Sequence, residues 1–254
     1  MNELSGWIIG ILFVAAAIAF GLLPARLFRW RHARALTSES KLVASDLMAR
    51  VGALHGLILA LVFASTHGGN EQLQTIITQE ATAVDHVYYN ARRYGAPEVM
   101  AASTAYIRAT IDQDWPSMAN DNALSSAGWR AWSNLLEKAL ELTPENARQA
   151  ALLAQIQQDV WRIENLRQTR GYEADNRIAP VFWLVAITGI VLVGALLFAH
   201  EPTPLHQLMM SAYSAYTGLV LFLIYDLTHP FDGAIQIRPV AFQAILDSIM
   251  LGQF

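Results

Sequence analysis

Four long apolar stretches, two before and two after a polar segment, constrain this chain more than any other feature. They cover residues 7–23, 51–65, 180–198 and 205–227. An α-helix needs roughly 20 apolar residues to cross the hydrocarbon core of a bilayer, and each stretch approaches that length if the second begins near Asp46. The sequence therefore predicts an all-α polytopic membrane protein with four transmembrane helices and a helical-bundle extramembrane insert.

The composition agrees with a chain that lies largely in lipid. Hydrophobic residues make up 54% of the sequence and charged residues 15%, and the mean hydropathy is +0.30. The net charge of -4 and the lack of a basic stripe with interleaved aromatic residues argue against binding of nucleic acid. The chain has no cysteine, which excludes disulfides and thiolate chemistry.

The chain divides into four predicted parts. Residues 1–65 hold transmembrane helices 1 and 2 with a basic connecting loop, and residues 66–179 form the extramembrane helical domain. Residues 180–227 form a transmembrane hairpin, since its short link forces an antiparallel arrangement. Residues 228–254 hold a turn and an amphipathic segment that is expected at the membrane interface or against a neighbouring subunit. A cleaved signal peptide carries positive charge before its apolar stretch, whereas the only charged residue before this stretch is Glu3, so we expect the stretch to stay as an anchor.

The first connection contains Arg26, Arg29, Arg31, Arg34 and Lys41. Basic residues that flank membrane helices favour the cytoplasmic side. Four crossings then place both termini and the helical domain on the other side, which in a bacterial inner membrane is the periplasm.

The insert is predicted to be helical, in segments that cover residues 71–93, 97–114, 126–142 and 144–170. A turn is expected at Trp115 and Pro116. Thr143 is expected to cap the last segment, with Pro144 at its first position. The first and last segments are expected to continue the second and third membrane helices into water.

The sequence contains no recognised catalytic motif, because the G-x-S-x-G, glycine-rich phosphate and H-E-x-x-H patterns are absent. An enzyme is therefore the least favoured class, and we predict no catalytic residue, no metal site and no cofactor. Two acidic groups have the chemistry to bind a cation, but such carboxylates on exposed helices are more often simply solvated. These groups are Asp112, Asp114 and Asp121, and Glu80, Asp85 and His86.

The second membrane helix repeats a small residue at every fourth position, at Gly52, Gly56, Ala60 and Ala64. Small residues at this spacing let helices approach closely in lipid, where packing holds helices together. We therefore assign this face to helix packing.

The opposite side of the same helix is predicted to present Leu54, Leu57 and Leu61, with Ile58 slightly offset. In an oligomer packed through the small residues, these side chains would ring a central axis as a dewetting constriction. The alternative is that they face lipid or other helices. His55 is also a candidate for the pore lining, because ionisable groups at membrane depth face protein or water; its alternative is a hydrogen bond to a helix carbonyl.

The fourth membrane helix ends with Asp226, and Pro230, Phe231 and Gly233 follow it. An anion in the last turn of a helix is disfavoured by the macrodipole, so Asp226 should need a donor or a cation. We predict a structural clasp of these four residues that ties the C-terminal segment to the insert, with Phe231 anchoring the turn. The candidate cations are Arg92, Arg93 and Arg238.

This ending resembles the bacterial bestrophin-like membrane protein family of unknown function, whose members close their last helix with an Asp, then Pro-Phe and Gly. Residues 80–83 resemble the Glu-Glu-Ala-Asn element of that family, and a third match covers residues 106–116, with Trp115 and Pro116 at its end. Together the matches extend from about Asp46 to Phe242.

The family is distantly similar to bestrophins, which are pentameric anion channels with four membrane helices per subunit and a pore lined by the second helix. The resemblance implies a homo-oligomeric ion channel, a pentamer by analogy, with Leu54, Leu57 and Leu61 near its neck. The partners of this protein would be copies of itself and membrane lipids. The sequence does not identify the permeant ion. The alternative is a non-conducting membrane scaffold or sensor whose helical domain binds a partner.

Two features of bestrophins differ from this sequence. Their insert is cytoplasmic, which stands as the alternative to the periplasmic placement derived from the basic loop. Their acidic calcium clasp follows a Pro-Phe-Gly turn, whereas uncharged residues 234–237 follow the turn here. Gating by calcium is therefore not expected.

Overall fold

The computed structural model describes residues 3–32, 37–174 and 178–252, and all regular elements in these ranges are helical. Four helices contain spans that are long and apolar enough to cross a membrane, which confirms the predicted all-α polytopic architecture. The helices in chain order are α1 (Glu3–His32), α2 (Ser38–Tyr94), α3 (Pro97–Ala109), a π-helical turn (Thr110–Asp114), α4 (Trp115–Asp121), α5 (Ser126–Leu140), α6 (Ala147–Ala174), α7 (Pro180–Leu196), a 3₁₀ turn (Leu197–Ala199), α8 (Pro204–Leu227) and α9 (Val240–Met250).

The chain separates into two compact units. Unit 1 comprises Met1–Gly68, Arg177–His229 and Gly233–Ile235. Unit 2 comprises Gly69–Asn176, Pro230–Asp232 and Gln236–Phe254. The boundary at residues 68 and 69 falls inside α2.

In unit 1, α1 packs against both α7 and α8. Ala17 of α1 is buried, and Phe13 on the same helix contacts Tyr225 of α8 with ring centroids 5.3 Å apart. Small and aromatic side chains thus form the contacts between helices, as expected where packing rather than solvent exclusion holds helices together.

The first membrane helix does not end where the apolar stretch ends, because α1 continues through Pro24 to His32. Proline lacks an N–H, so one intrahelical hydrogen bond is lost at this point. Membrane helices tolerate such losses when neighbouring groups compensate. Arg34 of the basic loop lies outside the described residues.

The second membrane helix is part of a single helix of 57 residues. At 1.5 Å per residue α2 is about 85 Å long, far more than the roughly 30 Å of a hydrocarbon core. The predicted continuation of this membrane helix into the insert is therefore confirmed.

The predicted continuation of the last insert helix into the third membrane helix is wrong. α6 ends at Ala174, Ile178 and Ala179 are not helical, and α7 begins with Pro180. Ala179 has a ψ angle of 135°. Steric conflict with a following proline disfavours the helical conformation at such a residue.

The turn predicted at Trp115 and Pro116 is also wrong, since the chain stays helical from Pro97 to Asp121. The N–H of Trp115 donates to the carbonyl of Thr110, five residues earlier. Pro116 lies in the first turn of α4, where the missing N–H would have no intrahelical partner in any case.

The predicted cap of α6 is wrong by three residues. Asn146 rather than Thr143 caps the helix, and its Oδ1 accepts the N–H of Gln149 at 2.9 Å. Gln149 Oε1 in turn accepts the N–H of Glu145 at 2.8 Å. Asn is at least as good an N-cap as Thr, and the reciprocal bond resembles a capping box, so the helix starts after Pro144.

Unit 2 is built around buried side chains of α2, α3, α5 and α6. The C-terminal helix α9 packs against α3 and the π-helical turn in this unit. Its Phe242 is fully buried, while Val240 and Met250 are exposed. The amphipathic segment therefore packs on helices of its own chain, a place that was not among the two expected for it.

Candidate functional site

The leucine face of α2 is exposed in the single chain. Leu54, Leu57 and Leu61 are 59%, 57% and 63% exposed, and Ile58 is partly buried. Leu59, in contrast, is buried with α7 and α8 residues of the unit 1 core. The three leucines predicted to line a pore therefore share a face that the described helices of the chain leave exposed, whereas Ile58 packs against the unit 1 core.

The small residues of α2 adjoin this face instead of lying opposite it as predicted. Gly56, Ala60 and Ala64 are exposed, and no atom lies within 4 Å of the position that a Cβ at Gly56 would take. Gly52 is partly buried, with the Tyr213 hydroxyl 4.0 Å from such a position. Most of this stripe is exposed within one chain, and its predicted role in helix packing stays a prediction about contacts with other copies.

His55 lies on a different side of α2 and is 3% exposed. Its Nε2 is 3.0 Å from the carbonyl oxygen of Ala186 on α7, and a Cβ at Gly189 would overlap the imidazole ring. His55 thus makes the hydrogen bond to a helix carbonyl that the sequence analysis gave as the alternative to a pore-lining role. It does not share the exposed face of the leucines.

Asp226, at the end of α8, is buried and accepts two backbone hydrogen bonds. The N–H groups of Ala234 and Ile235 donate to its carboxylate at 2.5 and 2.9 Å. Gly233 is required at the approach, since a Cβ there would lie 2.7 Å from Asp226 Oδ1 and 2.8 Å from the carbonyl oxygen of His229. The turn therefore supplies donors for the anion from its own backbone.

Three arginines, Arg92, Arg93 and Arg238, were suggested as partners of Asp226, and all three belong to unit 2. One of them, Arg93, lies over the ring of Tyr89, with 4.3 Å between the guanidinium carbon and the ring centroid.

Phe231 is buried in unit 2, where its ring forms a T-shaped pair with Trp115 at a centroid distance of 5.6 Å. Trp115 also contacts Phe242 at 5.9 Å and donates its Nε1–H to the carbonyl of Ile237 at 2.9 Å. The N–H of Ile237 donates to the carbonyl of Pro230 at 2.7 Å. The aromatic side chain of the turn thus packs against Trp115, the first residue of α4.

Unit 2 contains a cluster of buried charges that the sequence did not reveal. Arg170 of α6 donates from Nε and Nη2 to both oxygens of Glu80 on α2, at 2.8 and 3.1 Å. The hydroxyl of Tyr106 donates to the same carboxylate at 2.6 Å. Arg170 Nη2 also donates to Asp114 at 3.0 Å. The side chains of Arg170, Glu80 and Asp114 are fully inaccessible to solvent.

A second arginine completes this cluster. Arg167 donates from Nε and Nη2 to the carboxylate of Asp114 at 3.1 and 2.8 Å. Ser125 adds its N–H and hydroxyl as donors to Asp114 Oδ1 at 3.0 and 2.6 Å. The guanidinium of Arg167 also lies over the ring of Trp129, with 4.5 Å to the centroid. Two arginines therefore balance two carboxylates, which offsets the large cost of removing each charge from water.

Opposing effects determine the pKa values in this cluster. Burial alone would raise the pKa of Asp114, but Arg170 and Arg167 outweigh burial, so the pKa lies below its ordinary value. Burial would likewise lower the pKa of Arg170, but Glu80 outweighs it and the pKa is raised. Burial and the charge of Glu80 raise the pKa of Tyr106 well above its ordinary value. Asp114, Arg170 and Tyr106 therefore keep their usual protonation states near neutral pH.

The residues of the two acidic groups noted in the sequence have different environments in the fold. Asp114 and Glu80 face arginines, whereas Asp112 and Asp121 are exposed. In the described ranges, no three His, Asp or Glu side chains are grouped so that they would hold a metal ion.

One signal for the cluster was present in the sequence. Arg167 and Arg170 occupy positions that continue the apolar line of α6, which includes Val160 and Ile163. Glu80 likewise interrupts the buried line of α2. A charged residue at a core position of a helix needs a buried partner, and pairing these three positions would have pointed to the cluster.

The fold and these sites define an all-helical polytopic membrane protein with an exposed apolar face on its second membrane helix. The Bestrophin-like domain matches residues 11–242, which is most of the chain. The chain therefore belongs to the Bestrophin-like family, which confirms the resemblance seen in its sequence. Comparison with curated proteins and with solved structures finds no match.

Proposed function

We propose that the protein is the subunit of a homo-oligomeric ion channel in which α2 lines the pore. The observation that carries the proposal is the exposed leucine face of α2, next to a stripe of exposed small residues. An apolar face that its own chain leaves uncovered must contact lipid, another subunit or a pore. Membership of the Bestrophin-like family favours the last two.

In this proposal Leu54, Leu57 and Leu61 form a hydrophobic constriction. Gly56, Ala60 and Ala64 adjoin them and provide close contacts between subunits. His55 and Leu59 are buried within the chain and serve the packing of α2 against α7. The subunit number is proposed as five by analogy with bestrophins, and the membrane as the bacterial inner membrane. From the basic loop, we propose that the helical domain lies in the periplasm.

The first experiment measures the mass of the purified complex in detergent by native mass spectrometry. A closed ring of four or more copies of the 28.1 kDa chain supports a central pore. A monomer or dimer that persists at high concentration contradicts it and favours the alternative, a non-conducting scaffold or sensor.

The second experiment records currents in planar bilayers. We expect Leu57→Ser and Leu61→Ser to raise the conductance, because a hydroxyl favours water in a constriction that otherwise dewets. Leu208→Ser is the matched control, since Leu208 is an exposed leucine of α8. Equal currents for wild type and both α2 variants, or an equal change in the control, would reject the assignment of α2 to the pore.

A further inference from the structure

A small cavity lies in unit 1 where the membrane-spanning parts of α1, α7 and α8 end. Its volume is about 50 Å³, enough for a few water molecules or one small polyatomic group. The wall combines the last turns of α1, the connection after α7 and the first turn of α8. The polar residues of the lining are Arg26, Arg29, His200, Glu201, His206 and Gln207.

The position of the cavity along α1 matches the surface of a bilayer. Trp7 and Trp30 are 59% and 83% exposed near opposite ends of the span Gly6–Trp30. Trp30 lies 23 positions after Trp7, which corresponds to about 35 Å of helix, and exposed tryptophans mark the two interfaces of a membrane. Arg26 and Arg29 lie within one turn of Trp30. Both guanidinium groups are therefore near the depth of the lipid phosphates.

The two arginines differ in how they are held. Arg29 Nη1 donates to the carbonyl of His200 at 2.5 Å, which fixes this guanidinium against the connection between α7 and α8. Five N–H donors belong to each guanidinium, so this bond leaves others for a ligand. Within the ranges that the structure describes, no residue accepts a hydrogen bond from Arg26. A guanidinium binds a phosphate group through parallel hydrogen bonds.

The rim of the cavity is held in place by further hydrogen bonds. His200 Nε2 lies 3.2 Å from the Ser45 hydroxyl of α2, and His206 Nδ1 lies 2.8 Å from the carbonyl oxygen of Glu201. The hydroxyl of Thr203 caps α8 by accepting the N–H of His206 at 3.2 Å. The cavity is thus formed before a ligand binds.

We propose that this cavity binds a phosphate group, with Arg26 and Arg29 as its ligands. The group belongs to an anionic phospholipid headgroup or to free phosphate in the adjoining water, since both present the same oxygens. Two arginines against the single carboxylate of Glu201 leave the lining with a net positive charge. Basic pockets between membrane helices suit anionic headgroups. The site does not use the leucine face of α2, so it is independent of the proposed pore.

The test uses the purified full-length protein in detergent. Native mass spectrometry and thermal melting are compared with added phosphatidylglycerol, phosphatidylcholine or inorganic phosphate. We expect Arg26→Gln to weaken binding of the phosphate-bearing ligand about fivefold, the value of one basic residue at a membrane surface. Glu201→Gln should strengthen it, because it removes the opposing charge. Arg50→Gln is the matched control, since Arg50 is an exposed arginine paired with Asp46 outside the cavity.

The outcomes separate the two sources of phosphate. Stabilisation by phosphatidylglycerol, but not by phosphatidylcholine or inorganic phosphate, identifies the lipid headgroup. Stabilisation by inorganic phosphate as well identifies an anion site open to water. Both results support the proposal only if Arg26→Gln weakens binding and Arg50→Gln does not.

Equal binding by wild type and Arg26→Gln overturns the proposal, as does equal retention of phosphatidylglycerol and phosphatidylcholine. Arg26→Gln should keep the melting midpoint of wild type in the absence of ligand, because no described residue depends on Arg26 for a hydrogen bond. Misfolding is thereby distinguished from lost binding.

Discussion

Replacement of Arg170 by methionine would leave two buried carboxylates without the cation that they share. Arg170 is fully buried and donates three hydrogen bonds to Glu80 and Asp114. Methionine keeps most of the length of the side chain, so the change removes charge and donors more than volume. Arg167 continues to pair with Asp114, whereas Glu80 retains only the hydroxyl of Tyr106.

The expected cost follows from this geometry. Removal of one partner of a buried ion pair costs about 3–5 kcal/mol, because the other charge stays buried without compensation. For a chain of this size, 1 kcal/mol shifts the melting midpoint by about 2–4 °C. We therefore expect Arg170→Met to lower the melting midpoint by about 6–20 °C.

The assay is thermal melting in detergent at a fixed scan rate, followed by tryptophan fluorescence. Trp115 is a suitable reporter because its ring centroid lies 5.2 Å from the guanidinium carbon of Arg170. Arg130→Met is the matched control. Arg130 is exposed and donates to the Ser126 hydroxyl at 3.3 Å, so its loss should change the free energy of unfolding by less than about 0.5 kcal/mol.

A double variant tests whether the cost comes from the unpaired charge. Glu80→Gln combined with Arg170→Met removes the buried anion together with its partner, so it should be less destabilised than the sum of the single variants by about 0.5–3 kcal/mol. A midpoint for Arg170→Met within about 2 °C of wild type would refute the reasoning. Strict additivity in the double variant would do so as well.

Three further predictions concern Asp114 and the turn after α8. The pKa of Asp114 is lowered in the folded protein, so its stabilisation is complete above the ordinary value of about 4 and is lost as the pH falls through the lowered value. The melting midpoint should fall in acid below about pH 4, and less steeply for Asp114→Asn; parallel curves would contradict this. Asp226→Ala leaves two backbone N–H groups without their acceptor and should cost about 1–3 kcal/mol. It should also lower the yield of folded oligomer in gel filtration, whereas the exposed control Asp247→Ala should not; an unchanged melting midpoint would reject the clasp. Gly233→Ala should lower the midpoint in the same assay, because its Cβ would lie 2.7 Å from Asp226 Oδ1 and overpacking costs about 1–3 kcal/mol; a midpoint equal to wild type would contradict that geometry.

The membrane helices were predictable because length and apolar character determine them directly. Their ends were less predictable. The first apolar stretch stops at residue 23, yet α1 continues through Pro24, since one missing N–H does not stop a helix that neighbouring helices support. The cap of α6 was misplaced because both Thr143 and Asn146 are capping residues, and the bond from Gln149 decides between them.

The partners of charged residues were the least predictable part. Glu80 and Arg170 are 90 positions apart in sequence, and nothing local connects them. The donors to Asp226 were missed for a different reason. Every residue except proline has a backbone N–H, so residue types do not reveal which N–H groups donate to Asp226. The sequence therefore suggested arginines instead.

The π-helical turn at Thr110–Asp114 determines which way Asp114 faces. A π-bulge holds one residue more than the α-helical path around it. Loss of a single residue from this turn would leave a regular helix and rotate the preceding or the following segment by about 100°. Asp114 would then point away from Arg167 and Arg170, although every amino acid of the cluster would still be present. In this part of the chain, a one-residue deletion should therefore be far more damaging than most substitutions.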